Sequence, residues 1–330
     1  MLWTLIAAAL ASAPDPAALE TACAGGQAEA CRMLGGRYLA GVGVEPDNAK
    51  GARFMEMACE AGDMQGCTDL GALSLSGVGT GYAPLKAEVL FKRACEAGLG
   101  MPCHYLASQY LLGIGVDTNP ELARAHNLTA CQRKVAPACG HLGGMLELGF
   151  GYEVDMKLAV TMRQRGCDWG DAPSCTKLGH IYAEGRGHPA DQAKASDLYL
   201  QACKANDAEG CLALGDLVST GKLTPTLGTD ADGMYARTME LAGPQCQAGS
   251  VLSCLTVADV LKATGRTDEA ASILRDASAQ LDTQCTGGDF TACLELAEII
   301  AAGEGTAGPP EKEKKLKARA CQLGAKAVCE

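Results

Sequence analysis

The chemistry open to this chain lies first in its eighteen cysteines, which fall into nine pairs of one spacing, Cys-x7-Cys. The pairs are Cys23–Cys31, Cys59–Cys67, Cys95–Cys103, Cys131–Cys139, Cys167–Cys175, Cys203–Cys211, Cys246–Cys254, Cys285–Cys293 and Cys321–Cys329. Thiols at fixed spacing can close disulfides, hold a metal or run redox exchange. Structural zinc sites use Cys-x2–4-Cys ligand pairs, and no such pair occurs here. The haem-attachment pattern Cys-x-x-Cys-His is also missing. The five histidines (His104, His126, His141, His180 and His188) do not follow the cysteine period. Disulfides are the expected state, and they imply an oxidising compartment. No metal and no cofactor is expected.

Two Ser-x-x-Lys patterns could supply an acylating serine, Ser174 with Lys177 and Ser219 with Lys222. The Ser-Asp-Asn and Lys-Thr-Gly elements that accompany this pattern in penicillin-recognising enzymes are both missing. Ser174 follows Asp171-Ala172-Pro173 at an expected helix start, where capping is the ordinary task. There is no His-Glu-x-x-His and no phosphate-cradling Gly-x-x-x-x-Gly-Lys.

The elements that position these residues repeat. The first cysteine of each pair advances by 36 residues five times, then by 43, 39 and 36. A fixed period of this length marks a repeat array. Three residues after the second cysteine of each of the first eight pairs stands Leu or Val, from Leu34 to Leu296, followed by Gly or Ala. A bulky residue often comes three further on, as in Tyr38, Tyr110 and Tyr182. This stripe predicts a helix whose glycine permits close helix–helix approach. The three tyrosines either line a groove or pack between helices. The helix should stop at Gly41, Gly77, Gly113, Gly149, Gly185, Gly221, Gly265 and Gly303. A second helix then starts near Pro46, Pro84, Pro120, Pro189 or Pro310 and ends around the next first cysteine. Three residues past that cysteine comes another stop, usually Gly, with Asn206 as a substitute and Lys134 as the one departure. Each Cys-x7-Cys therefore straddles a tight turn between antiparallel helices. The reading gives about 17 helices, eight glycine-rich and nine cysteine-ending. An insertion near Thr224–Asp232 should form a longer surface loop.

Aromatic residues are 4% of the chain, so the core between helices should be thin. A disulfide closing so short a loop contributes roughly 2–3 kcal/mol. With 39 acidic and 28 basic residues the net charge is -11. This argues against nucleic acid and anionic membranes as partners. Lys312, Lys314, Lys315, Lys317 and Arg319 interleave with Glu311 and Glu313 and read as a solvated helix face.

Leu2 to Ala13 is apolar, small and uncharged, too short for a membrane helix of about 20 residues and of the length of a signal-peptide core. Residues 1–13 are expected to be a leader cleaved after Ala11 or Ala13. Residues 14–330 are expected to form a single domain of eight to nine repeats. Cys23 has Leu19 four residues before it and a partner in Cys31, which does not suit lipid attachment, so no stable membrane anchor is expected.

Leu34-Gly35-Gly36-Arg37-Tyr38-Leu39-Ala40-Gly41-Val42-Gly43-Val44 and Leu106-Ala107-Ser108-Gln109-Tyr110-Leu111-Leu112-Gly113-Ile114-Gly115-Val116 resemble Sel1-like repeats. With the cysteine spacing, the chain is similar to the disulfide-rich Helicobacter cysteine-rich branch. The likeness is strong over about residues 23–221 and looser beyond. A second, weaker similarity is to the Sel1-repeat cytochrome oxidase assembly factor of the mitochondrial intermembrane space. The resemblance implies an all-α, right-handed αα-solenoid, a superhelix of tetratricopeptide-like hairpins. Sel1-like repeats in general bind proteins or peptides. The cysteine-rich branch also implies weak β-lactamase or penicillin-binding activity, with no catalytic residue to carry over. The expected function is an exported, monomeric scaffold, secreted or periplasmic, that binds a peptide, protein or peptidoglycan fragment on its concave face. The alternative is a weak β-lactam hydrolase.

Overall fold

The computed structural model describes residues 15–187, 189–222, 230–303 and 310–323. Among these residues there are seventeen α-helices and no strand. The odd-numbered helices are α1 (Pro16–Ala24), α3 (Asn48–Glu60), α5 (Pro84–Glu96), α7 (Pro120–Gln132), α9 (Met156–Asp168), α11 (Gln192–Lys204), α13 (Ala231–Gln247), α15 (Thr267–Thr286) and α17 (Pro310–Gln322). Each carries the first cysteine of a pair near its end. The even-numbered helices are α2 (Ala28–Ala40), α4 (Met64–Ser76), α6 (Gly100–Leu112), α8 (Ala136–Leu148), α10 (Ala172–Glu184), α12 (Ala208–Ser219), α14 (Val251–Ala263) and α16 (Phe290–Ala301). Each carries the second cysteine and the recurring Gly or Ala. The chain is an αα-solenoid of stacked hairpins. Its contacts form two compact units, one reaching to Tyr110 with Ile114–Thr118, the other comprising Leu111–Gly113 and the residues from Asn119 onward.

The turn between paired cysteines is built by local chemistry alone. At the end of α9, Gly170 takes φ +94° and donates its N–H to the Cys167 carbonyl at 3.0 Å, while the Asp171 N–H reaches the Gly166 carbonyl at 2.9 Å. These two bonds satisfy carbonyls that a helix end leaves unpaired. The Asp171 carboxylate then accepts the Ser174 N–H at 3.1 Å and caps α10. One aspartate thus closes one helix with its backbone and opens the next with its side chain. Asp63, Asp207 and Asp289 do the same. The reversal brings paired cysteines to Cα–Cα distances of 4.5–4.9 Å, and eight disulfides from Cys23–Cys31 to Cys285–Cys293 close across it. Cys329 lies outside the described residues, and with it the Cys321–Cys329 pair. Lys134, at the glycine position of this turn, holds φ +61°, and Asn206 holds φ +66°. The turn keeps its shape even where a side chain resists it.

All eight stops expected after the even helices have φ between 67° and 80°. The odd helices begin differently from the proline rule. Pro84 and Pro120 are first residues of their helices, but Pro46 and Pro189 lie upstream of the caps Asp47 and Asp191, each of which accepts a backbone N–H. The aspartate side chain sets the start, because it supplies an acceptor that proline lacks.

The recurring glycine is needed for packing. A Cβ on Gly179 would lie 2.5 Å from the Tyr199 ring, and one on Gly71 would lie 2.6 Å from the Phe91 ring. In both cases the aromatic residue is twenty positions downstream, on the next odd helix. The large ring fills the notch that the absent side chain leaves. Elsewhere the core is small: Leu19, Cys23, Cys31, Leu34 and Ala58 cluster in the first unit, and Val257, Ala258, Leu261, Ala270 and Leu274 in the second.

One contact in the second unit spans far more of the chain than a repeat. Phe150, in the loop after α8, stacks on Phe290 at the start of α16, with ring centroids 4.4 Å apart. Phe150 is fully buried. Residues 1–13, expected to be a leader, and residues 223–229 of the expected surface loop lie outside the described residues. No helix among the described residues is long and apolar enough to cross a membrane.

Candidate functional site

In the second unit α12 touches both α10 and α14 directly, and these helices also meet through the odd helices. The even helices therefore line the inner side. Their side chains, with Leu274 of α15, line a cavity of about 330 Å³ that reaches α16, and Leu212, Leu252, Leu255 and Ile299 are among its apolar residues. A second cavity of about 430 Å³ adjoins it and shares Leu252, Leu255 and Glu295. Together they form a groove. Leu252 is 60% exposed within it.

The polar lining is ordered by a chain of hydrogen bonds. Buried Tyr199 sits 2.9 Å from His180 Nδ1, and His180 Nε2 sits 3.1 Å from Glu209 Oε1. Lys177 Nζ donates to the same oxygen at 2.6 Å. A proton on Nε2 lets the ring donate to Glu209 and accept from Tyr199. Burial opposes ionisation of Glu209, but the His180 hydrogen bond and the Lys177 charge outweigh it and hold the carboxyl at about 2. Glu295 is shifted the other way: burial and then the neighbouring Glu298 raise its carboxyl above the ordinary range, with Lys177 opposing. Asp259 is paired with Lys262 at 2.6 Å.

The Ser-x-x-Lys pairs do not assemble into a nucleophile. Ser174 is 1% exposed, and its hydroxyl donates to Asp171. It packs beneath Gly140 and Gly166, whose added Cβ atoms would lie 2.1 and 2.5 Å from its Oγ. Lys177 is engaged by Glu209 instead. Ser219 Oγ donates to the Asp216 carbonyl at 3.2 Å and accepts from Tyr235 at 3.1 Å, and Lys222 is exposed beyond the end of α12. Both nitrogens of His180 are taken, so it has no serine to activate. Among the described residues no group of His, Cys, Asp and Glu could hold a metal ion. His188 lies outside the described residues.

Of the recurring tyrosines, Tyr38 and Tyr110 pack between helices, while Tyr182 lines a cavity of about 680 Å³ with Lys157, Val160 and Asp191. Tyr38 stacks on Phe54 at 5.6 Å, Tyr110 donates to Glu88 at 2.5 Å, and Tyr182 accepts from Lys194, whose ammonium also lies 4.0 Å from its ring centre. The basic stretch of α17 is only partly a solvated face. Lys314 and Lys315 are exposed, but Lys312 pairs with Asp282, and Arg319 donates to the Cys285 and Thr286 carbonyls at the end of α15. The groove residues carry no motif that sequence reasoning could have caught. The available signal was Leu252, an apolar residue just ahead of Cys254 where most other repeats carry a polar, small or proline residue.

Four segments of the chain, 28–63, 65–99, 103–133 and 172–207, match the Sel1 repeat family. No curated protein matches the chain. Among solved structures, the Sel1 repeat protein from Oxalobacter formigenes is 23% identical, with a TM-score of 0.59 over 67% of this chain and 88% of that one. The protective antigen c5321 of uropathogenic Escherichia coli, described as displaying an SLR fold, is 20% identical with a TM-score of 0.58. That alignment covers 95% of this chain but only 65% of the antigen's length. These likenesses bear on the fold. Matched segments and disulfides at the repeat spacing lead to one conclusion: the chain carries four Sel1 repeats, and its cysteine pairs fit the cysteine-rich type.

Proposed function

We propose that this protein is an exported, disulfide-stapled scaffold that binds an extended peptide or protein segment along the inner groove of its second unit. The observation that supports this most is the groove itself, where Leu212, Leu252, Leu255 and Ile299 line one cavity together with charged side chains. Exposed apolar surface ringed by polar groups is characteristic of binding sites. Repeat arrays of this kind present their ligand surfaces along the inner face, and Sel1 and tetratricopeptide-like repeats generally mediate protein interactions. Eight disulfides fit an oxidising extracellular or periplasmic environment. The whole mature chain, residues 14–330, is taken to act as one scaffold.

A photo-crosslinking amino acid placed at Leu252, and at Val89 as an equally exposed control, tests the reading. Irradiation in the exported fraction of the source cells should give protein adducts from position 252 and few from 89. Adducts from 89 alone would move the binding surface away from the groove.

A further inference from the structure

We infer that the groove selects a peptide segment carrying a Lys or Arg side chain between apolar residues. The inference rests on the peptide-binding reading just given and names the chemistry of the occupant.

The groove has two apolar surfaces and an uneven set of charges. Leu252 and Leu255 on α14 line the cavity together with Ile299 on α16, which is itself mostly buried. Four carboxylates line the same space, Glu209, Asp259, Glu295 and Glu298, against two ammonium groups, Lys177 and Lys262. The ammonium groups are already used. Lys177 donates to Glu209 at 2.6 Å and Lys262 lies 2.6 Å from Asp259. Glu295 and Glu298 remain, three residues apart on one face of α16, with no hydrogen bond or ion pair to any described residue. Burial and the charge of Glu298 both disfavour ionised Glu295. A cation brought between the two carboxylates relieves that repulsion, and the flanking leucines and isoleucine accept apolar side chains beside it. An anionic ligand would meet half-buried Glu295 and exposed Glu298 together, which is unfavourable. The occupant is therefore set by charge complementarity: an extended segment with alternating apolar and basic side chains.

The test uses the oxidised full-length protein and three fluorescein-labelled peptide pools with random flanks around a fixed centre. The centres are Leu-Lys-Leu, Leu-Ser-Leu and Leu-Glu-Leu, and binding is followed by fluorescence anisotropy. The Lys pool should bind about three- to fivefold more tightly than the Ser pool, and the Glu pool more weakly still. Glu295→Gln with Glu298→Gln should remove the preference for Lys while leaving the Ser pool unchanged. Leu252→Ser should weaken every pool. Because Glu295 is poorly suited to its ionised form, the double Gln variant should melt no lower than the wild type, which separates lost recognition from lost folding. If all three pools bind alike and Leu252→Ser weakens them alike, the groove reading stands and the cation inference fails. If Leu252→Ser changes nothing, or no pool binds, both fail.

Discussion

The rings of Phe150 and Phe290 lie 4.4 Å apart and nearly parallel, at 15°. They are two of the four phenylalanines in the chain, and they come from helix connections almost four repeats apart. The stack ties the loop after α8 to the start of α16, so the groove-lining helices α10, α12 and α14 sit within one closed turn of the second unit. Phe290→Ala should cost about 3–5 kcal/mol, as for other buried aromatic truncations. It should also raise hydrogen exchange in the loop 149–155. A loss of stability with unchanged exchange there would show that the two ends of the turn are not coupled through this contact.

Lys134 holds a left-handed backbone in a turn where most other repeats place glycine. A non-glycine residue there costs about 1–2 kcal/mol. Lys134→Gly should therefore raise the melting temperature, and Lys134→Ile should lower it, since branching at Cβ adds to the clash. Melting curves of the two variants in oxidising buffer decide the matter; equal shifts would mean that the turn relaxes without strain.

Gly179 makes room for the Tyr199 ring, and Tyr199 in turn holds His180. Adding one methyl in Gly179→Ala forces the ring aside and should cost about 1–3 kcal/mol, as overpacking does. The companion change Tyr199→Phe keeps the volume and removes only the hydroxyl, so it should cost less. The reverse order would place the hydrogen bond, not the fit, in control.

The acid limb of stability should report Glu209. Its carboxyl sits at about 2 in the folded protein against an ordinary 4.5, so the unfolded chain binds the proton more tightly. The stabilisation it provides is complete above about pH 4.5 and is lost as the pH falls through about 2. Glu209→Gln should flatten the dependence of melting temperature on pH over that interval. Glu295 has the opposite sign: burial and Glu298 raise its carboxyl, so its ionisation destabilises the fold at neutral pH. Glu295→Gln should therefore raise the melting temperature at pH 7. A fall would mean that the carboxylate has a partner in solution.

Much of this architecture is legible in the residues because it is local. The turn between paired cysteines needs a left-handed residue, an aspartate cap and two cysteines eight apart, and all lie within one stretch such as Cys167 to Cys175. The alternation of glycine-rich and cysteine-ending helices follows from the same short-range pattern. The Phe150–Phe290 stack is of another kind. Its partners are 140 residues apart, and the angle between successive hairpins that brings them together accumulates from many small packing choices. The groove depends on that accumulated angle, so its residues carry no recognisable motif. The Ser-x-x-Lys patterns show the converse: residues close in sequence part company once helix α10 turns Ser174 inward and Lys177 toward Glu209.

The most direct test of a repeat scaffold held by staples rather than by a thick core is a count of thiols in denatured, unreduced protein, with the linked peptides mapped by mass spectrometry. The account predicts almost no free thiol and each of the sixteen cysteines from Cys23 to Cys293 joined to its partner eight residues away. Many free thiols, or links between different repeats, would contradict it.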